Sequence, residues 1–171
     1  LYLKILDFFD RHCNYQQLVK RIIKDANNDE EKVIKLFEWT YSNIKKVPEG
    51  YPIIDDHVWY IIVRGYGTVD QSQDVFTVLC NYAGIDAFYS MIYIQNRTAG
   101  IYFSFVKLDR GWSLFDPYNG VYFKNKDGGI ATIDEIKSGN WTMVNIGKSE
   151  KNSSGYKEFL DNLPTQIVNR L

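Results

Sequence analysis

Histidine is scarce in this chain. His12 and His57 are the only two among 171 residues, and since histidine is the usual general base near neutral pH, that scarcity limits every hydrolase reading. Cysteine is equally scarce: Cys13 and Cys80 match no zinc spacing, and they read as small buried apolar residues or at most one bridge, which fixes no redox compartment. Neither sign of charge dominates, with 20 Lys plus Arg against 21 Asp plus Glu, so nothing pulls the chain toward nucleic acid or an anionic membrane. No apolar run approaches the roughly 20 residues of a membrane span, and no basic, apolar, small-residue leader is visible. The first residue is Leu rather than Met, so the expectation is an excised or processed piece of a longer chain, with other domains of that chain as possible neighbours. The compartment stays open.

Aromatic residues, by contrast, are abundant. They make up 16% of the chain, including 13 Tyr and 4 Trp, enough to line a binding face as well as fill a core. The length suits one domain with one core.

The first half reads helical. Residues 1–10 carry apolar positions on most faces, and Asn14 with Gln17 resembles a capping pair ahead of Leu18, Val19, Ile22 and Ile23, which predicts two short helices. In "NNDEEKVIKLFEWTYSNIKK", Asn28 caps, Asp29, Glu30 and Glu31 suit the helix dipole, Val33, Phe37, Tyr41 and Ile44 share a face, and Lys45 and Lys46 close the helix. "VPEGYPIIDD" is a loop, and "HVWYIIVR" reads as a helix in preference to a strand. From Asp70 to Tyr82 the apolar residues surround the axis, as in a buried helix, and Gly84 stops it.

After Gly84 the pattern changes. "IDAFYSMIYI", "GIYFSFVKL" and "WSLFD" are aromatic and β-branched runs separated by turns, as in consecutive antiparallel strands; "VYF" is a further short strand. Thr132 and Glu135 form a capping box for a brief helix, and Tyr156, Phe159, Leu160 and Leu163 predict a closing helix halted at Pro164. Helices followed by a meander make an α+β domain spanning 1–171, with its core over about 28–147, a linker at 148–155 and a C-terminal helix at 156–171.

No residue type offers a plain reactive site. Cys80 sits in the buried helix, and Cys13 follows His12 in the expected turn between helices, so neither reads as a nucleophile. Ser72 lies in the first turn of its helix, where backbone N–H groups favour an anion, but it is also an ordinary early-helix residue. Asp55, Asp56 and Asp70, or Asp109 and Asp116, fit turns better than a metal site, and "GYG" and "DGG" fit no nucleotide-binding fingerprint. No cofactor is implied.

The order of parts, with "GTV" leading into a buried helix ending "CNYAGIDA", then strands, then "GWSLFDPYNG", resembles the transglutaminase-like family over roughly residues 33–123. That family pairs a Cys at the start of a buried helix with a His on the next strand and an Asp on the one after, on a papain-like core. Carried over one by one, the resemblance puts Val69 at the Cys position, Ile101 at the His position and Asp116 at the third. Valine has no lone pair to attack a carbonyl and isoleucine moves no proton, so the family's acyl transfer is lost in this register. The resemblance therefore implies a non-enzymatic domain that binds a peptide, protein or glycan through the former cleft, with Asp70, Gln71, Ser72, Tyr102 and Trp112 as candidate contacts. The rival expectation is a hydrolase or acyltransferase rebuilt from Ser72, His57, Asp70 or Asp116, which requires those side chains to meet in one cleft. A third is a structural module packed against other domains, marked by a broad exposed apolar patch.

Overall fold

Residues 11–17 contain neither Pro nor Gly, and the helix begun at the N-terminus runs through them: α1 spans Tyr2–Ile22 without the predicted break. Asn14 does not cap a second helix. Its side-chain amide donates back to Asp10 at 3.1 Å, and Arg11 pairs with Asp7, so the polar stretch forms contacts between successive turns. Cys13 is consequently an exposed mid-helix residue and not part of a turn. The computed structural model describes residues 2–54, 57–93, 100–147 and 153–163. Asp55 and Asp56, most of the expected linker, and Pro164 with the rest of the C-terminus lie outside the described residues.

Helix α2, Asp29–Asn43, starts as its sequence dictates, with Asn28 Oδ1 accepting the Glu31 N–H at 2.8 Å. Its end differs from expectation. Ile44 is extended, and Lys45–Lys46 form β1, a short parallel pair with β2, Tyr66–Gly67; the Lys45 N–H reaches the Gly65 carbonyl at 2.8 Å. Pairing with a distant strand thus overrides the favourable dipole position of the two lysines. Between the two strands lies α3, Val58–Arg64, closed by Gly65 at φ 74°.

Helix α4, Val69–Tyr82, buries polar and apolar side chains alike, from Gln71, Ser72 and Gln73 to Val75, Phe76, Leu79 and Cys80. It ends in a Schellman arrangement in which the Ile85 N–H bonds the Cys80 carbonyl and the Gly84 N–H that of Asn81, with Gly84 at φ 80°. The chain then enters an antiparallel meander of β3 (Ala87–Tyr93), β4 (Gly100–Leu108), β5 (Gly111–Asp116), β6 (Val121–Lys124) and β7 (Thr142–Asn145), hydrogen-bonded in that order. β7 was not anticipated. Helix α5, Ile133–Lys137, opens on the predicted capping box, with Thr132 Oγ1 and Glu135 each accepting from the other's backbone N–H. Helix α6 is Ser153–Leu160.

The sheet separates two apolar layers. On one side Phe37 of α2 and Phe76 of α4 meet Phe115 and Tyr122 at ring distances of 5.3–5.9 Å. On the other, Phe103 and Phe123 meet Tyr156 of α6 at 5.9 and 6.0 Å, with Ile133 and Ile136 of α5 in the same cluster. At about 1.5–3 kcal/mol for each fully buried large apolar side chain, these layers account for why α4 and α6 lie on opposite sides of the strands. This is the α+β arrangement expected from the sequence, with helices first and the meander after. No helix among the described residues is long and apolar enough to cross a membrane.

Candidate functional site

Both ends of the site are set by local chemistry. At the start of α4, the Gln71 carboxamide ties three segments together: its Oε1 accepts from the Thr68 N–H at 3.2 Å and from the Arg64 guanidinium at 2.9 Å, while its Nε2 donates to the Ile54 carbonyl at 2.7 Å. The Thr68 hydroxyl donates to Asp70. A Cβ on Gly67 would stand 3.1 Å from Gln71, so glycine lets the entering strand lie against this amide.

At the end of β5, Asp116 is fully buried and receives four hydrogen bonds. Its Oδ1 accepts from Gln73 Nε2 at 3.3 Å and from the Asn119 N–H at 3.2 Å, and its Oδ2 from Asn119 Nδ2 and the Tyr156 hydroxyl, both at 2.7 Å. Gln73 in turn accepts from Ser104 at 2.6 Å. Two carboxylate oxygens offer about four lone-pair sites, so the acceptor capacity is filled. Burial, and after it the charge of Asp116, pushes the Tyr156 hydroxyl well above the ordinary phenol range, so it remains a proton donor. Asn119 follows from the Asp-Pro-Tyr-Asn-Gly turn, whose Asx geometry brings its N–H back to Asp116.

The residues singled out from the sequence fall as follows. Val69 is the first residue of α4, half-buried and in neither apolar cluster. Ile101 lies opposite Ile92 on β4 and packs against the α6-side cluster. Asp70 is half-buried and bonded to Thr68. Gln71 is buried with its amide occupied, and Ser72 is 1% exposed, so these two candidate contacts are interior groups rather than a cleft lining. Tyr102 faces Tyr89 at 6.1 Å, and Trp112 stands edge-on to Phe88 at 5.2 Å.

The rebuilt triad does not assemble. Among the described residues the Ser72 hydroxyl has no hydrogen-bond partner, Asp70 serves Thr68, Asp116 serves Gln73, Asn119 and Tyr156, and His57 Nδ1 caps α3 by accepting from the Trp59 N–H at 3.3 Å. Cys80 is buried, and burial pushes its thiol up, away from the thiolate a nucleophile needs. No group of three or more His, Cys, Asp or Glu able to hold a metal occurs among the described residues.

Sequence reading missed Gln73, Ser104 and Tyr156. The one available signal was a glutamine inside a helix apolar around most of its circumference; Tyr156 read only as part of an apolar stripe. A recess of about 250 Å³ between Asn28, Asp29, Glu30, Leu108, Asp109 and Arg110 includes none of the site residues.

Residues 16–117 match the family described as the transglutaminase-like superfamily. No curated protein matches the chain. Among solved structures it is similar to a proposed cysteine protease from Cytophaga hutchinsonii, at 18% identity and a TM-score of 0.54, over 82% of this chain and 49% of that one. It is also similar to a proposed protease from Parabacteroides distasonis, at 14% identity and a TM-score of 0.48, over 80% of this chain and 26% of that one. The chain thus spans about half the length of the Cytophaga protein, and at this identity the likeness concerns the fold.

Proposed function

This chain belongs to the transglutaminase-like superfamily, and we propose that it is a catalytically inactive member that serves as a binding module for a peptide, protein or glycan. The saturation of Asp116 carries this reading. In a Cys-His-Asp site the carboxylate accepts from the imidazole and orients it; here Gln73, Asn119 and Tyr156 take every position from which an imidazole would be held. In the register read from the sequence, Val69 and Ile101 take the positions of the family's sulfur and ring, and among the described residues no histidine bonds to Asp116. The Cytophaga protein is a proposed cysteine protease; that chemistry would need a thiolate that this register lacks.

The test is an activity assay on the purified protein with a fluorescent primary amine plus a glutamine-containing peptide, and separately with peptide and ester substrates. The expected result is turnover no faster than in buffer. Turnover lost in a folded Asp116→Asn variant overturns the reading.

A second reading, a module packed against another protein surface, is favoured by the first half of α1, where Tyr2, Leu3, Phe8 and Phe9 are 73, 79, 57 and 57% exposed. It is tested by the oligomeric state and by the loss of surface-dye binding when a partner is present.

A further inference from the structure

The first turns of α1 stand clear of the domain. Every residue from Tyr2 to Asp10 is exposed, whereas Tyr15 and Val19 of the same helix are buried against the body. By helical periodicity, Lys4 and Arg11 fall on the side that Tyr15 turns to the body. Tyr2, Leu6, Phe9 and Cys13 fall on the opposite side, where all four are exposed. The polarity of the segment is therefore inverted: its apolar stripe points away from the surface on which the rest of the helix packs.

Such a segment needs a cover, because a short helix without packing is marginal in water. Tyr2, Leu3, Ile5, Leu6 and Phe9 are 45–79% exposed and present about 600 Å² of apolar side chain, at roughly 200 Å² for each when whole. That is the upper end of the largest patch on a typical monomer, and across two copies it reaches about 1,200 Å², the lower edge of stable interfaces. An anionic lipid surface is a poor occupant. Interfacial helices flank their apolar face with Lys and Arg, but here Lys4 and Arg11 lie on the other side and Arg11 is held by Asp7.

A second copy fits better. The stripe's spacings of four, three and four residues are those of a coiled-coil seam and are symmetric about its centre. Two antiparallel α1 helices thus seat Leu6 against Phe9 of the other copy and Tyr2 against Cys13 of the other copy, a large ring against a small side chain at each end. No charged side chain enters the seam, and the helix dipoles oppose. Taking α1 as a packing face, as in the second reading above, we infer that its side bearing Tyr2, Leu6, Phe9 and Cys13 is a self-association surface on which a second copy of this chain docks its own α1 antiparallel.

The experiment is sedimentation equilibrium of the folded chain, with reductant, from micromolar to near-millimolar concentration. A reversible monomer–dimer equilibrium is expected, weakened about a hundredfold or more by Leu6→Asp with Phe9→Asp, since two charges enter the seam. Both side chains lie off the body, so this variant keeps the domain fold, checked by an unchanged melting temperature. Oxidation of Tyr2→Cys with diamide reads the orientation. Residues 2 and 13 lie about 16 Å apart along one helix, too far for a disulfide within one chain. A covalent dimer is therefore expected, and adding Cys13→Ser abolishes it. A monomer at every concentration, a dimer indifferent to Leu6→Asp with Phe9→Asp, or wild-type chains that crosslink as fast through Cys13 alone overturns the inference. In the monomer case, surface-dye binding that Leu6→Asp with Phe9→Asp abolishes leaves α1 as a face for a different protein, whereas unaltered dye binding removes that reading too.

Discussion

The Tyr156 hydroxyl donates to Asp116 Oδ2 at 2.7 Å, and both residues are fully buried. This contact joins α6 to the end of β5. It anchors α6 to the sheet.

Tyr156→Phe keeps the ring against Phe103 and Phe123 and removes one donor from a buried carboxylate. The expected cost is about 1–3 kcal/mol, the penalty of leaving such a group short of a partner, read as a lower urea midpoint. Proteolysis between β7 and α6 should also become faster. An unchanged midpoint would mean that α6 is held by apolar packing alone.

Gln73→Leu tests the other side of the same network. It strips a donor from Asp116 and an acceptor from Ser104 inside a sealed core, so a loss of about 2–4 kcal/mol is expected from two unsatisfied groups. The double variant Gln73→Leu with Ser104→Ala should recover part of that loss, and a double-mutant cycle measures the coupling. Strict additivity would argue against a shared network.

Installing the reactive pair, as Val69→Cys with Ile101→His, should yield no peptide hydrolysis above buffer, since Asp116 has no free lone pair to orient the new ring. Hydrolysis dependent on both substitutions would show that Asp116 is available after all.

Asp74 gives a pH signature. Burial first, and Asp70 second, push its pKa above the ordinary carboxylate value, while His57 opposes them. The folded state therefore holds this proton to higher pH than the unfolded state does. Asp74 does no harm below the unfolded carboxylate range, and its penalty grows as pH rises through the folded value and is complete above it. Asp74→Asn should raise the melting temperature at neutral pH, with the gain fading as pH falls through the carboxylate range. A gain that grows on acidification would contradict the sign.

Gly84→Ala isolates backbone strain. At φ 80° an added Cβ meets nothing within 4 Å, so the expected cost, about 1–2 kcal/mol, comes from the left-handed conformation alone. Chemical denaturation at constant m-value is the measurement, and a neutral result would place Gly84 outside that region.

Local chemistry made much of the fold legible. Asn28, Thr132 with Glu135, and Gly84 act on backbone groups within a few residues, so the ends of α2, α5 and α4 followed from sequence. The aromatic and β-branched runs gave β3 to β6 in order. Where a distant partner decided, local reading failed: Lys45 and Lys46 left their helix to pair with Tyr66 and Gly67, and β7 is a strand because β6 offers it an edge.

The candidate site shows the same division. Sequence alone determined which atoms are present, namely a carboxylate at 116 and aliphatic carbon at 69 and 101. Only the tertiary structure decided what that carboxylate does, because Gln73 and Tyr156 lie 43 and 40 residues from Asp116 along the chain and reach it through the packing of α4 and α6 about the sheet. Hydrogen bonds between such distant groups leave no periodicity or capping pattern, since the order of residues carries no record of which buried donor will meet which acceptor.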